Sequence, residues 1–262
     1  MMLSLDSFKI KWIAIIGMAL YHSIYVFHEI MPMYLILIFG AAGGLTFPIM
    51  GYFVVEGYKY TTNIKGYLMR LFIFGLIAVP FHLLLLGFGL RLNIMFSIIL
   101  SLLTLMIYDK IKKKVIFWLL IFPAVLAISM IFMFDWIFIG VIVVLLYHLI
   151  RNETLRRVLP PIIGGILWFG MTAFSLSGIA MLETIPGSYE EIQAILDMWS
   201  GSVNFIIATQ VMIIGCICAA VLLKGYNGER GKRMKWLFYS FYPLHLAILA
   251  IVGLALGLIT LG

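Results

Sequence analysis

The sequence predicts an all-α integral membrane protein, a single polytopic domain over residues 1–262 with about nine transmembrane helices. Three observations predict it. Hydrophobic residues make up 64% of the chain and charged residues 11%, with a mean hydropathy of +1.15. A soluble domain of this size has too little interior to hide that much apolar surface. The apolar runs are long enough for helices rather than barrel strands. Basic residues recur in alternate loops, as orientation signals do.

The apolar segments fall near 9–28, 33–57, 66–87, 92–108, 114–133, 136–150, 158–179, 202–223 and 235–260. The first could mimic a signal peptide. It lacks a small-residue cleavage site and runs on through Tyr21-His22-Ser23, which makes it a retained helix. The second carries Gly40-x-x-x-Gly44, a spacing suited to close helix packing. The third contains Pro80 and His82. Arg91 and Asn93 open the fourth, and Asp135 stands before the sixth, which is short for a span. The eighth contains Cys216 and Cys218, two residues apart and read as packing residues rather than a disulfide. The ninth contains Tyr242-Pro243-Leu244-His245 and Gly253-x-x-x-Gly257.

The loops assign orientation. Lys59 and Lys65, then Lys110 to Lys114, then Arg151, Arg156 and Arg157, then Lys224 to Lys235 fill alternate connections. The intervening loops carry Glu29, Asp135, Glu183, Glu190, Glu191 and Asp197, with Arg91 as their base. The positive-inside rule then places the N-terminus in the cytoplasm and the C-terminus outside. The acidic loop from Glu183 to Asp197 is expected to be a solvated connection or a short surface helix. The net charge of +7 is parcelled among short loops, so no nucleic-acid partner is expected.

Within this frame His22 is the residue that asks for a function. Eleven residues separate it from Lys11. At a rise of ~1.5 Å per residue that is roughly 16 Å, or half of a ~30 Å hydrocarbon core. Ionisable groups at that depth are costly and mark functional sites. His245 lies ten residues after Lys235 on the last helix and reaches a similar depth. Pro243 permits a kink beside it. Glu56 and Arg70 face each other across a short turn and are expected partners, since each alone would be expensive. Asp135, Arg91 and Asn93 are expected at the outer mouth. A histidine at membrane depth can instead lock packing by hydrogen bonding a neighbour, the plainer reading for His82 and His148. There is no H-E-x-x-H, nucleophile elbow, P-loop or dinucleotide fingerprint. No metal is expected. A midplane histidine can move a proton or carry an acyl group.

These residues resemble the TraX family, the F-pilin acetylases, within a wider superfamily of multi-pass membrane acyltransferases. Lys11 to His22 is similar to that superfamily's basic-x10-His signature. The most specific match is Phe47-Pro48, then Val55-Glu56-Gly57-Tyr58 and Thr61, then Tyr67-Leu68-Met69-Arg70-Leu71. Leu92-Asn93-Ile94 and Phe241 to Leu246 look like further family blocks. The chain departs at Tyr21, where such sequences often carry Asp, and at Gly44, where they often carry Arg.

The resemblance implies helices enclosing a tunnel, with acetyl-CoA entering from the cytoplasm. The acetyl group would pass to an acceptor peptide amine or glycan hydroxyl near the outer leaflet. His22 and His245 are then the catalytic candidates. His22 would act as base or transient acyl carrier, and His245 would polarise the thioester or orient the acceptor. Lys11, Arg70 and Glu56 would bind the coenzyme A thioester, and Asp135, Arg91 and Asn93 the acceptor. The expected partners are coenzyme A, the lipid bilayer and the acceptor, with homo-oligomer formation left open. The alternative is a proton-coupled transporter built around the same histidines.

Overall fold

A computed structural model describes residues 4–86, 91–182, 190 and 203–259. The acidic loop at 183–201 lies outside the described residues, Glu190 apart. Helices dominate, as the solvent demands: in hydrocarbon a backbone must satisfy its own polar groups.

The helices, in chain order, are α1 (Ser7–Phe27), α2 (Met33–Tyr60), α3 (Ile64–Leu86) and α4 (Ile94–Lys110). Next come α5 (Lys114–Ile131), α6 (Ile137–Leu149) and α7 (Glu153–Leu182). Last are α8 (Val203–Gln210, then Met212–Lys224) and α9 (Lys235–Ala255). Each of these described helices overlaps one of the expected segments. Among the described residues seven reach membrane-spanning length and apolarity, α4 and α6 being shorter. The chain is an all-α, multi-pass membrane protein.

One boundary moved substantially. The seventh segment was expected from 158, with Arg156 and Arg157 in a loop; α7 begins at Glu153. Asn152 caps it by accepting from Leu155 N at 3.0 Å. Both arginines are helical because their charges are paired within the protein.

Small residues bring the helices together. A Cβ on Gly44 would lie 1.9 Å from Met212 O, and one on Gly215 would lie 1.9 Å from Ala41 O. The α2–α8 crossing is therefore backbone against backbone. It leaves no room for a side chain at position 44. Cys216 packs there, its thiol 3.4 Å from Gly44 O, and both cysteines are free. Gly253 packs against Val26, while Gly257 ends α9 in a left-handed conformation at φ +67°.

The N-terminus is stapled to the loop between α8 and α9. Leu5 N donates to Gly225 O at 3.0 Å, and Asn227 N donates to Leu5 O at 3.0 Å. Ser7 N and Oγ donate to Glu229 O and Arg230 O at 2.9 and 2.7 Å. Asp6 caps α1 by accepting from Lys9 N at 2.8 Å. Gly231, at φ +66°, passes so close to Asp6 that a Cβ would lie 2.7 Å from its carboxyl carbon. The staple holds a strongly basic loop beside the start of α1.

Candidate functional site

Two helices from opposite ends of the chain meet at membrane depth. His22 on α1 and His245 on α9 are each 6% exposed. His245 Nε2 lies 3.0 Å from His22 Nδ1. His245 Nδ1 lies 2.9 Å from Phe241 O. A carbonyl only accepts, so His245 Nδ1 carries the hydrogen. In the neutral ring Nε2 is then an acceptor, and His22 Nδ1 must donate to it. The same accounting leaves His22 Nε2 with its lone pair available as a base. Phe241 stacks on the His245 ring at 5.1 Å, and Tyr25 stacks on the His22 ring at 5.9 Å. Tyr242 meets the His22 ring edge-on at 6.2 Å.

Two cavities approach this pair. The larger holds about 340 Å³ and opens among Lys11, Arg70, Arg230, Lys232, Arg233 and Lys235. Among the described residues no carboxylate lines it. Its walls become apolar inward, at Met18, Ile94 and Tyr242. Lys11 holds its ammonium 4.6 Å from the Phe53 ring centre and 5.7 Å from that of Phe238. Arg70 lies over Tyr239 at 5.7 Å. A cationic mouth leading to an apolar shaft suits a ligand with an anionic head and an uncharged arm.

The smaller cavity holds about 70 Å³ and includes His22, Tyr21, Tyr25, Asp135, Trp136 and Trp168 in its wall. Met18 and Ile94 line both cavities, so a thin partition separates them beside His22. Tyr21 occupies space cleared by Gly43, whose Cβ would lie 2.6 Å from the Tyr21 ring.

The expected residues divide between these places. His22 and His245 touch, Lys11 and Arg70 share the basic cavity, and Asp135 reaches the small chamber. Glu56 needs correcting. Its partner is Arg156, at 2.7 Å, rather than Arg70, and it does not line the basic cavity. Arg156 also bonds Tyr52 and Glu153, while Arg157 bonds Glu153 and Tyr226 O. This ties α2 to the start of α7. Asn93 is engaged in structure: its Oδ1 caps α4 at Met95 N and its Nδ2 donates to Gly75 O at 2.9 Å. Arg91 donates to Leu86 O at 3.3 Å. Neither lines the chamber.

Sequence reasoning did not single out Tyr25, Trp136, Trp168 or Tyr242. Tyr242 had the clearest signal, three residues before His245 and so on its face of the helix. His82 was read as packing. It is 1% exposed, and its Nε2 stands 3.5 Å from Asp135 Oδ2.

The chain is 40% identical over 114 residues to a protein of Dichelobacter nodosus called probable fimbrial assembly protein FimC, serogroup H1. That match covers 39% of this chain and 46% of the relative, so the chain spans less than half of the curated relative's length. No solved structure matches. The family model described as TraX protein matches residues 7–253, which takes in every helix named above except the last two residues of α9, and the chain belongs to that family.

Proposed function

We propose that the protein is an acyltransferase that moves an acetyl group from acetyl-CoA to an amine or hydroxyl acceptor on the opposite side of the membrane. The observation that carries this reading is His22, bonded to His245, standing in the wall of a small aromatic chamber that shares Met18 and Ile94 with a cavity whose described lining is basic and without carboxylates. The positive-inside rule assigns the basic end to the cytoplasm, where coenzyme A is available, in a bacterial cytoplasmic membrane. Lys11, Arg70, Arg230 and Arg233 would receive the phosphates, as point and fork charges. The uncharged arm would follow the apolar wall toward Met18 and Tyr242.

His22 Nε2 then takes a proton from the acceptor as the acceptor attacks the thioester carbonyl. His245 holds His22 in the tautomer that leaves Nε2 free and accepts from Nδ1–H as positive charge develops on the ring. Collapse of the tetrahedral intermediate breaks the carbon–sulfur bond. The departing thiolate takes the proton from His22 Nε2. The fimbrial-assembly name of the relative supports a protein acceptor at the outer face. The test is acetyl-CoA consumption by purified protein, read as thiol release with and without added acceptor. Turnover by His22→Ala equal to that of the wild type would sink the reading.

A further inference from the structure

The turn before α6 is held in an unusual shape. Met133, Trp136 and Ile137 all have positive φ, at 41°, 63° and 40°. A β-branched residue there is a steric outlier, and such strain persists only where the surroundings enforce it. The surroundings do enforce it. Asp135 N donates to Leu92 O at 2.9 Å, and Ser97 Oγ donates to Asp135 O at 2.5 Å. The result is a carboxylate at the wall of the chamber that contains His22. Behind it, from α3, His82 brings Nε2 to 3.5 Å from Asp135 Oδ2. One member of each of two pairs thus lines the chamber: His22, hydrogen-bonded to His245, and Asp135, within ion-pair distance of His82.

One pair is enough for a hydroxyl acceptor. Such an acceptor loses one proton, which His22 can pass to the leaving thiolate. A protonated amine must lose two. We propose that Asp135, positioned by His82, is the base that takes the first proton from an ammonium acceptor, before His22 takes the second.

The balance is as follows. The ammonium gives one proton to the Asp135 carboxylate, where His82 Nε2 shares it until product leaves and it passes to solvent. The neutral amine attacks the thioester carbonyl. The nitrogen's next proton goes to His22 Nε2 and from there to sulfur as the carbon–sulfur bond breaks. The products are an amide, free coenzyme A and one proton. The aromatic rings of Tyr21, Tyr25, Trp136 and Trp168 in the same wall suit a cationic group before it is deprotonated.

This inference rests on the acyltransferase reading, and two probe amines separate the failure of one from the failure of the other. Glycinamide is largely protonated at neutral pH, and methoxyamine is neutral. Acetylation of each is measured with the full-length protein in lipid nanodiscs, the uncatalysed rate subtracted. Asp135→Asn is expected to lower glycinamide acetylation roughly 100-fold, the low end of a general-base contribution, and methoxyamine acetylation much less. The ratio of the two rates should shift by about tenfold or more. His82→Gln keeps a polar group beside the carboxylate but cannot take its proton. It should shift the ratio the same way, which decides the matter should Asp135→Asn not fold. Equal losses for both amines in a folded variant would overturn the assignment. If the wild type acetylates neither amine, or His22→Ala acetylates both normally, the acyltransferase reading itself fails.

Discussion

Two polar clusters among the described residues, one partly exposed at the start of α7 and one buried at membrane depth, are wired differently. The Glu56–Arg156–Glu153–Arg157 cluster ties its charges to one another, to Tyr52 and to the backbone at Tyr226. None of its charged residues lines either cavity. The His22–His245 cluster spends three of its four ring nitrogens and keeps one in reserve, on a ring that forms part of a cavity wall. A cluster that consumes its own valences fixes the positions of helices. A cluster that keeps one back can act on something else.

The contrast is broken most directly at His22. His22→Ala should lower acetyl transfer by roughly 10²–10⁴-fold, the usual contribution of a positioned base. Thermal unfolding in detergent should change little. A variant that kept its activity and lost its stability would make the histidines a packing device and erase the distinction.

Arg156→Met should show the opposite pattern. It leaves Glu56 without its closest partner, a loss of about 3 kcal/mol for a pair with one partner only partly buried. Unfolding temperature should fall, while turnover per folded molecule stays near the wild-type value. If turnover fell first, the network would belong to the site.

The difference between the clusters also explains what could be read from the sequence. The depth of His22 and of His245 follows from counting residues along a helix from a lysine landmark, so their matching depth was expected from arithmetic; that α1 and α9 pack side by side and bring the rings to 3.0 Å was not. The fold class was equally legible, because composition and the length of the apolar runs set it. The partner of Glu56 had no such rule. Arg156 lies one hundred residues away, and only the packing of α7 beside α2 selects it over the nearer Arg70. The start of α7 was misplaced for the same reason. Charged residues read as loop until a partner is known to neutralise them. Asn93 looked like a mouth residue because it is polar at a helix start, the position where an N-cap belongs. The strained turn at Asp135 left no trace in composition, since its residues are ordinary and only their φ angles are not.

A finer test concerns His245. His245→Leu removes the acceptor for His22 Nδ1–H and frees the ring to turn. Loss of one buried hydrogen bond to a group that becomes charged is worth about 1.5–3 kcal/mol, roughly ten- to a hundredfold in turnover. His245→Gln, which can place an oxygen near the position of Nε2, should recover part of it. Equal losses in both variants would mean that His245 acts through its ring rather than as an acceptor.

The smallest expected effect lies at the basic mouth, and it tests the donor side of the contrast. Arg230, Lys232 and Arg233 on the loop stapled to the N-terminus, and Lys235 at the start of α9, are solvent-exposed, so each acts through a screened charge. Removing one should cost about 0.2–1 kcal/mol, at most about fivefold in the KM for acetyl-CoA, with kcat unchanged. The effect should shrink as salt is raised. A variant such as Arg233→Gln should also discriminate less between acetyl-CoA and its 3′-dephospho analogue, because the missing charge and the missing phosphate cancel. If each loop charge can be removed without raising KM at low salt, the anionic head binds elsewhere. The cavity would then be an opening that the positive-inside rule happens to surround.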